Sequence, residues 1–195
     1  MEVIYPFLRA GQKLQSLSGI VNALSEDAAM SRNAQRHFKK VAMGGTFDIL
    51  HEGHAALLSR AFEIGDNVTI GVTSDNLIRK LAKGHPVRPY AERVKGLKKY
   101  LEERNWSDRA NITVLQDKWG PTVLEPGMEA IVVTGDTQSS ADEINRLRNA
   151  KGLQPLHVEI VKLIVAEDGR PISTTRIHRG EIDPQGRIGK RVRST

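Results

Sequence analysis

The feature that most constrains the fold is an alternation of strand-like and helix-like segments that begins after Lys40. Strands are predicted at the short apolar runs 41–43, 68–72, 112–115, 131–134 and 156–165. Helices are predicted where apolar residues recur at helical spacing, at 54–64, 90–103 and 141–149. Strands separated by helices favour a parallel sheet with helices on both of its faces.

This alternation predicts an α/β fold: a Rossmann-like, doubly wound parallel sheet of about five strands that binds ligands beyond the carboxyl ends of its strands. We assign it to residues 39–195 and interpret 1–38 as an N-terminal helical extension and linker. The extension carries one apolar helical stripe, formed by Leu14, Leu17, Val21, Leu24 and Ala28. A packing role for it is favoured over targeting, because Glu26 and Asp27 suit a transit peptide poorly.

Composition excludes several classes of protein. The 195 residues include no cysteine, which excludes a disulfide scaffold, a cysteine-based zinc site and a thiol nucleophile. The apolar runs are far too short to span a bilayer, and the first residues lack the pattern of a secretory signal. We therefore expect a cytoplasmic protein with no membrane partner.

The net charge of +6 is concentrated near the C-terminus. Residues 170–195 hold seven basic and two acidic side chains, a net charge of +5. Such a segment suits a nucleic-acid arm, a solvated tail or a site for a phosphorylated small molecule. Its 26 residues contain no Phe, Tyr or Trp, which disfavours stacking on single-stranded nucleic acid. We expect a small phosphorylated ligand and no nucleic-acid partner.

The most informative stretch is Gly44-Gly45-Thr46-Phe47-Asp48-Ile49-Leu50-His51-Glu52-Gly53-His54, which joins the first predicted strand to the first predicted helix. Paired glycines let a ligand approach the backbone, and a helix start attracts anions. His51 and His54 lie one turn apart, so both imidazoles can face one phosphate. Each feature also has an alternative interpretation. The glycines can form a plain turn, and Asp48 can cap that turn. The two histidines can bind a metal, although zinc needs a third ligand.

This stretch contains Gly45-Thr46-Phe47-Asp48 followed by His51-x-Gly53-His54, a pattern that resembles the signature of the HxGH nucleotidyltransferases. A second signature of that family is matched by Ile172-Ser173-Thr174-Thr175-Arg176-Ile177. The intervening segments resemble archaeal-type phosphopantetheine adenylyltransferases, at 71–75, 86–93, 143–148, 166–171 and 180–183. The resemblance covers about 40–186. It departs from the family pattern at 134–137 and at His178, where Arg or Lys is common.

The resemblance implies a reaction of ATP with 4′-phosphopantetheine that gives dephospho-coenzyme A and pyrophosphate, a step of coenzyme A biosynthesis. It also implies Mg²⁺, held mainly by the triphosphate and water rather than by protein ligands. A flavin-mononucleotide adenylyltransferase and a cytidylyltransferase for a small phosphorylated alcohol share both signatures and remain alternatives. A nucleic-acid-binding protein is the alternative from another class. A homo-oligomer is left open.

The resemblance also assigns roles to individual residues. Catalysis is assigned to His54, which would donate to the α-phosphate, and to His51 and Lys83. The nucleotide is expected to contact Gly45, Thr46, Phe47, His51, Gly53, His54, Ser173, Thr174, Thr175 and Arg176. The acceptor phosphate is expected to contact Thr46, Lys83 and Arg88, with Lys80 in reserve and Arg148 as a weaker candidate. Ser173 also suits a helix N-cap. No role is predicted for His37, His85 or His157.

Overall fold

A computed structural model describes residues 38–81 and 85–189. Five strands are present: β1 (Phe38–Gly45), β2 (Gly65–Thr73), β3 (Ala110–Leu115), β4 (Ala130–Thr134) and β5 (His157–Val161). The helices of this part of the chain are α1 (Glu52–Ile64), α2 (Asp75–Lys80), α3 (Tyr90–Glu102), α4 (Gln138–Ala150) and α5 (Thr174–His178). Short 3₁₀ turns occupy Ser107–Arg109, Gly120–Val123 and Gly135–Thr137.

The strands form one parallel sheet in the order β3-β2-β1-β4-β5. The chain runs outward from β1 through β2 to β3, then crosses to the other side of β1 with β4. In such sheets, ligands bind where the strand order reverses, beyond the carboxyl ends of the strands. Here that point lies at the end of β1, where the Gly44-Gly45 pair begins the loop to α1.

One face of the sheet, the packed face, forms the main core with α1 and α3. Its strand residues are branched and fully covered, and they include Val41, Val68, Ile70, Val72 and Val132. The helices contribute Leu58, Ala61, Phe62, Leu97 and Leu101 to the same cluster. Burial of these side chains is the largest stabilising contribution in the fold.

The other face, the open face, carries a smaller core where α4 covers β1 and β4. Ala42, Ile131 and Val133 pack there against Ala141 and Ile144. Over β2 and the end of β1 this face presents small residues instead, among them Gly44, Thr69, Gly71 and Thr73.

The predicted fold class is confirmed, with five parallel strands and helices on both faces. The last strand was predicted too long, since β5 ends at Val161 and Val165 forms only an isolated antiparallel bridge to Pro171. The sequence reading missed α2, a six-residue helix capped by the Ser74 side chain, because it is too short to show periodicity. The extension predicted at 1–38 lies outside the described residues except for Phe38, which begins β1.

Candidate active site

Phe47 has an unusual backbone conformation in the loop from β1 to α1. This residue has a backbone φ of 52°, a left-handed conformation that is rare for an aromatic residue, and its side chain is buried. The Phe47 ring lies 5.1 Å from the ring of His54, measured between centroids. Packing of the buried ring against the core and His54 compensates for the unfavourable backbone conformation.

His51 caps the start of α1 with its own side chain. Its Nδ1 accepts a hydrogen bond from the Gly53 N–H at 3.1 Å, so a neutral His51 carries its proton on Nε2. Burial lowers the pKa of His51 from 6.5 to about 4, which keeps the ring neutral at physiological pH. Gly53 suits this position, because a Cβ here would lie 3.0 Å from His51 Cε1 and the capping ring would have to shift.

His54 lies between two other rings. Its centroid is 4.0 Å from that of His51 and 5.1 Å from that of Phe47. The structure therefore brings both predicted histidines together at the start of α1, as their spacing indicated. Among residues 38–81 and 85–189, neither histidine belongs to a group of three possible metal ligands.

Asp48 is a fully buried carboxylate that joins three parts of the chain. Its Oδ1 accepts hydrogen bonds from the backbone N–H and the Nε of Arg88, both at 3.0 Å, and its Oδ2 lies 2.7 Å from His178 Nε2. Burial alone would raise the pKa of Asp48, but the hydrogen bonds from His178 and Arg88 outweigh it and hold the pKa below its usual value. Asp48 thus does more than cap a turn.

Arg93 binds the backbone of the same loop, and sequence reasoning did not identify it as a site residue. Its buried guanidinium donates to the carbonyl oxygens of Thr46 and Arg88 and to the Asp75 carboxylate, at 2.8–2.9 Å. A signal was present, because Arg93 precedes Leu97 and Leu101 at a spacing of four and so lies in the apolar stripe of α3. A charged residue in such a stripe needs internal partners.

The two signatures meet at the start of α1. The Ile172 carbonyl oxygen lies 4.0 Å from the position that a Cβ of residue 53 would occupy. The Glu52 N–H donates to the Pro184 carbonyl oxygen at 3.1 Å. Ser173 caps α5, with its Oγ accepting from the Arg176 N–H at 3.4 Å. The capping interpretation of Ser173 is therefore confirmed, and α5 begins close to the start of α1.

Arg176 is engaged inside the protein. Its guanidinium pairs with Asp168 and, at 3.0 Å, with Glu181, and it also donates to the carbonyl oxygen of Pro171 at 2.9 Å. The side chain is only 11% exposed. In this arrangement Arg176 braces the segment around α5, and its contact with the nucleotide stays a prediction.

The residues predicted to bind the acceptor phosphate are placed less completely. Thr46 lies in the loop from β1 to α1, and Arg88 is bound to Asp48 of the same loop. The Arg88 side chain is 46% exposed and keeps donors available beyond this bond. Lys80 is exposed at the end of α2, and Lys83 lies outside the described residues. Arg148 is buried and donates to the carbonyl oxygens of Gln154, Thr122, Glu125 and Met128, which gives it a structural role.

A cavity of about 270 Å³ opens on the open face and reaches Gly44 and Gly45 at the end of β1. Its floor is the sheet, and its walls come from α2, α4 and the segment after β3. The lining includes Gly44, Gly45, Gly71, Thr73, Leu77, Leu115, Trp119, Thr134 and Ile144. The Leu115 side chain lies over Gly71, where a Cβ would be only 2.6 Å away. Sequence reasoning missed this cavity, because its lining comes from six separate segments with no shared motif.

Within residues 38–81 and 85–189, every helix is too short or too polar to span a bilayer.

Comparison with known proteins agrees with this geometry. A family profile described as cytidylyltransferase-like matches residues 42–180. The chain is 46% identical over 146 residues to the phosphopantetheine adenylyltransferase of Methanopyrus kandleri, covering 75% of this chain and 92% of that protein. It is 44% identical over 159 residues to the phosphopantetheine adenylyltransferase of Methanothermobacter thermautotrophicus, covering 82% and 94%. It also resembles the crystal structure of a protein of unknown function from Archaeoglobus fulgidus, with a TM-score of 0.56, 35% identity and coverage of 63% and 88%. The chain therefore belongs to the cytidylyltransferase-like family and, within it, to the phosphopantetheine adenylyltransferases.

Proposed function

We propose that the protein transfers the adenylyl group of ATP to 4′-phosphopantetheine, giving dephospho-coenzyme A and pyrophosphate. The observation that carries this proposal is that two possible sites share the end of β1 and the loop that follows it. Gly44 and Gly45 line a largely apolar cavity that suits the pantetheine arm, a flexible chain with a gem-dimethyl group and two amides. The Phe47 ring lies 3.2 Å from the position that a Cβ of Gly45 would occupy, and its centroid is 5.1 Å from that of His54, which pairs with His51.

The reaction needs positioning and charge stabilisation rather than a protein nucleophile. An oxygen of the acceptor phosphate attacks the α-phosphorus of ATP, and the bond from that phosphorus to the oxygen bridging to the β-phosphate breaks. No proton has to be removed from the attacking group, since the phosphate is already ionised. Groups that donate to the α-phosphate and the leaving pyrophosphate then lower the barrier.

The histidine pair suits that task. The neutral His51 presents an Nε2–H donor, because its Nδ1 is occupied by the Gly53 N–H. We propose that His51 donates to the triphosphate and that His54 donates to the α-phosphate as negative charge develops there. Thr46, whose hydroxyl oxygen lies 3.4 Å from that of the cavity-lining Thr73, would then hold the acceptor phosphate, together with Arg88 and Lys83.

Mg²⁺ fits this site as part of the MgATP substrate. It prefers oxygen ligands and retains several waters, so phosphate oxygens and water can complete most of its coordination. Asp48, the buried carboxylate of the loop, has its Oδ1 held by Arg88 and its Oδ2 beside an imidazole of His178, a neighbour that suits a transition metal better than Mg²⁺. We therefore propose that the chain binds the phosphates and leaves the ion to them.

The test is pyrophosphate release from ATP with 4′-phosphopantetheine, flavin mononucleotide or glycerol 3-phosphate offered separately, each repeated with CTP. We expect release with ATP and 4′-phosphopantetheine alone. Activity with flavin mononucleotide alone, or with CTP and glycerol 3-phosphate alone, would assign the protein to one of the alternatives. A protein that only binds nucleic acid would release pyrophosphate in none of these reactions.

A further inference from the structure

A second cluster of titratable side chains includes Asp48, which lies in the loop from β1 to α1. Asp48, His85 and His178 each offer one possible ligand atom, and these three atoms lie within 4.8 Å of one another. The rings of His85 and His178 are stacked, with centroids 4.6 Å apart. Throughout the described part of the chain, no other group of three or more His, Asp or Glu side chains is this compact.

The donor set suits a transition metal. Two imidazoles and one carboxylate form a common ligand set for Zn²⁺, whereas Mg²⁺ prefers oxygen alone. Metal–ligand bonds of about 2.0–2.2 Å place tetrahedral ligands roughly 3.4 Å apart. The 2.7 Å separation of Asp48 Oδ2 and His178 Nε2 lies below that value and the 4.8 Å limit lies above it. Admitting the ion requires Asp48 Oδ2 and His178 Nε2 to move apart by about 0.7 Å.

Neighbouring hydrogen bonds orient two of the ligands. His85 Nδ1 lies 2.9 Å from the Pro86 carbonyl oxygen, which can only accept, so Nδ1 carries the proton and Nε2 keeps its lone pair. Asp48 Oδ1 is held by the backbone and side chain of Arg88, which leaves Oδ2 as the metal ligand. Outer hydrogen bonds of this kind are the usual support of a metal site.

We propose that Asp48, His85 and His178 form a binding site for one divalent transition metal, with Zn²⁺ as the first candidate and a fourth position open to water. His85 and His178 are partly exposed and provide the entry path to the buried Asp48. The ion links the loop after β1, the segment before α3 and the end of α5. Metal binding at His178 Nε2 replaces the hydrogen bond between this nitrogen and Asp48, so a neutral His178 takes the tautomer that carries its proton on Nδ1.

This proposal does not depend on the catalytic function, and its test measures binding directly. The full chain, without an affinity tag and stripped with chelator, is titrated with ZnCl₂, with CoCl₂ and with MgCl₂. We expect one equivalent of Zn²⁺ to bind saturably, the intense visible absorption of four-coordinate Co²⁺, and no response to Mg²⁺. Zn²⁺ should also raise the melting temperature, and EDTA should reverse that rise.

Variants locate the ion. His178→Asn keeps an amide donor for Asp48 but removes an imidazole ligand, and His85→Asn removes the other. Each should weaken Zn²⁺ binding by about tenfold or more. His157→Asn is the matched control, because His157 is half-exposed on β5, away from the cluster, and should leave affinity unchanged.

Absence of saturable Zn²⁺ binding would overturn the proposal and leave Asp48, His85 and His178 as a hydrogen-bonded structural cluster. Binding that survives both variants, or that is lost in His51→Asn instead, would place the ion elsewhere and equally overturn it.

Discussion

The two faces of the sheet have different roles in the molecule. On the packed face, Val68, Ile70 and Val72 of β2 are fully covered by α1 and α3. On the open face, their neighbours Thr69, Gly71 and Thr73 line a cavity of about 270 Å³. Alternate residues of one strand therefore stabilise the core on one face and line the cavity on the other. The comparison teaches that a sheet stabilised mainly from one face can leave the other free to bind.

The strongest test of this difference truncates the same residue type on each face. Leu58→Ala, in α1 on the packed face, should lower the free energy of unfolding by about 3 kcal/mol, because it leaves a void in a closed core. Leu115→Ala, beside the open cavity, should cost roughly 1 kcal/mol or less, because Leu115 is only partly buried. Urea unfolding of both variants measures the contrast. Equal losses would show that the open face is as important for stability as the packed one.

Between the two faces, at the edge where the strands end, a substitution should affect turnover more than stability. His54→Ala should lower kcat by on the order of a hundredfold, equivalent to about 3 kcal/mol, by removing a donor to the α-phosphate. Pyrophosphate release at saturating substrate measures the effect, with unfolding as the parallel readout. His157→Ala, at a half-exposed position on β5, is the control. Normal turnover in His54→Ala would remove the proposed mechanism.

His51, at the same edge of the sheet, should make the stability of the protein depend on pH. His51 has a pKa of about 4 in the folded protein against 6.5 ordinarily, so between these values the unfolded chain binds the extra proton. Stability is therefore retained above pH 6.5 and lost as the pH falls towards 4, by on the order of 2 kcal/mol after allowance for solvent screening.

His51→Asn provides the comparison for this pH effect, since Asn keeps a side-chain acceptor for the Gly53 N–H but does not titrate. The stability difference between wild type and variant, measured by urea unfolding from pH 7 to pH 4.5, should shift against the wild type. A difference that stays constant over this range would contradict the neutral, buried state of His51.

The smallest effect is expected within the cavity itself. Gly71→Ala places a Cβ 2.6 Å from Leu115 Cδ2, so Leu115 has to move into the space proposed for the acceptor. The KM for 4′-phosphopantetheine should rise about fivefold, equivalent to roughly 1 kcal/mol, with the KM for ATP unchanged. Gly96→Ala in α3, where nothing lies within 4 Å, is the matched control and should be neutral or slightly stabilising. An equal rise in both KM values would contradict the assignment of the cavity.

The sequence predicted the elements whose apolar residues repeat over a full face. Strands β1 to β4 and helices α1, α3 and α4 were predicted within a few residues of their ends. The prediction was wrong for the end of β5, where the apolar residues Leu163 and Ile164 continue after the ladder stops. An apolar run predicts that side chains are buried or in contact, but it does not predict where backbone pairing between strands ends.

The site could be predicted only where a motif holds its residues together. The His51–His54 pair and the Ser173 cap follow from local spacing. The left-handed Phe47 could not be read from the sequence, because non-glycine residues seldom adopt positive φ and nothing local distinguishes the exception. His85 was judged isolated, yet it stacks on His178, 93 residues later in the chain. Contacts between distant segments depend on the tertiary structure.

The ion pairs around α5 change how the basic segment acts at a distance. Between residues 168 and 187, four arginines accompany three carboxylates, and Arg170, Arg176, Arg179 and Arg187 each pair with Asp168, Glu181 or Asp183. A paired charge has the field of a dipole, which decays faster than that of an isolated cation. Residues 168–187 therefore contribute little long-range attraction to polyanions in solution. The rate at which a nucleotide reaches the site should depend only weakly on ionic strength through these arginines, whose positive charge acts mainly at contact.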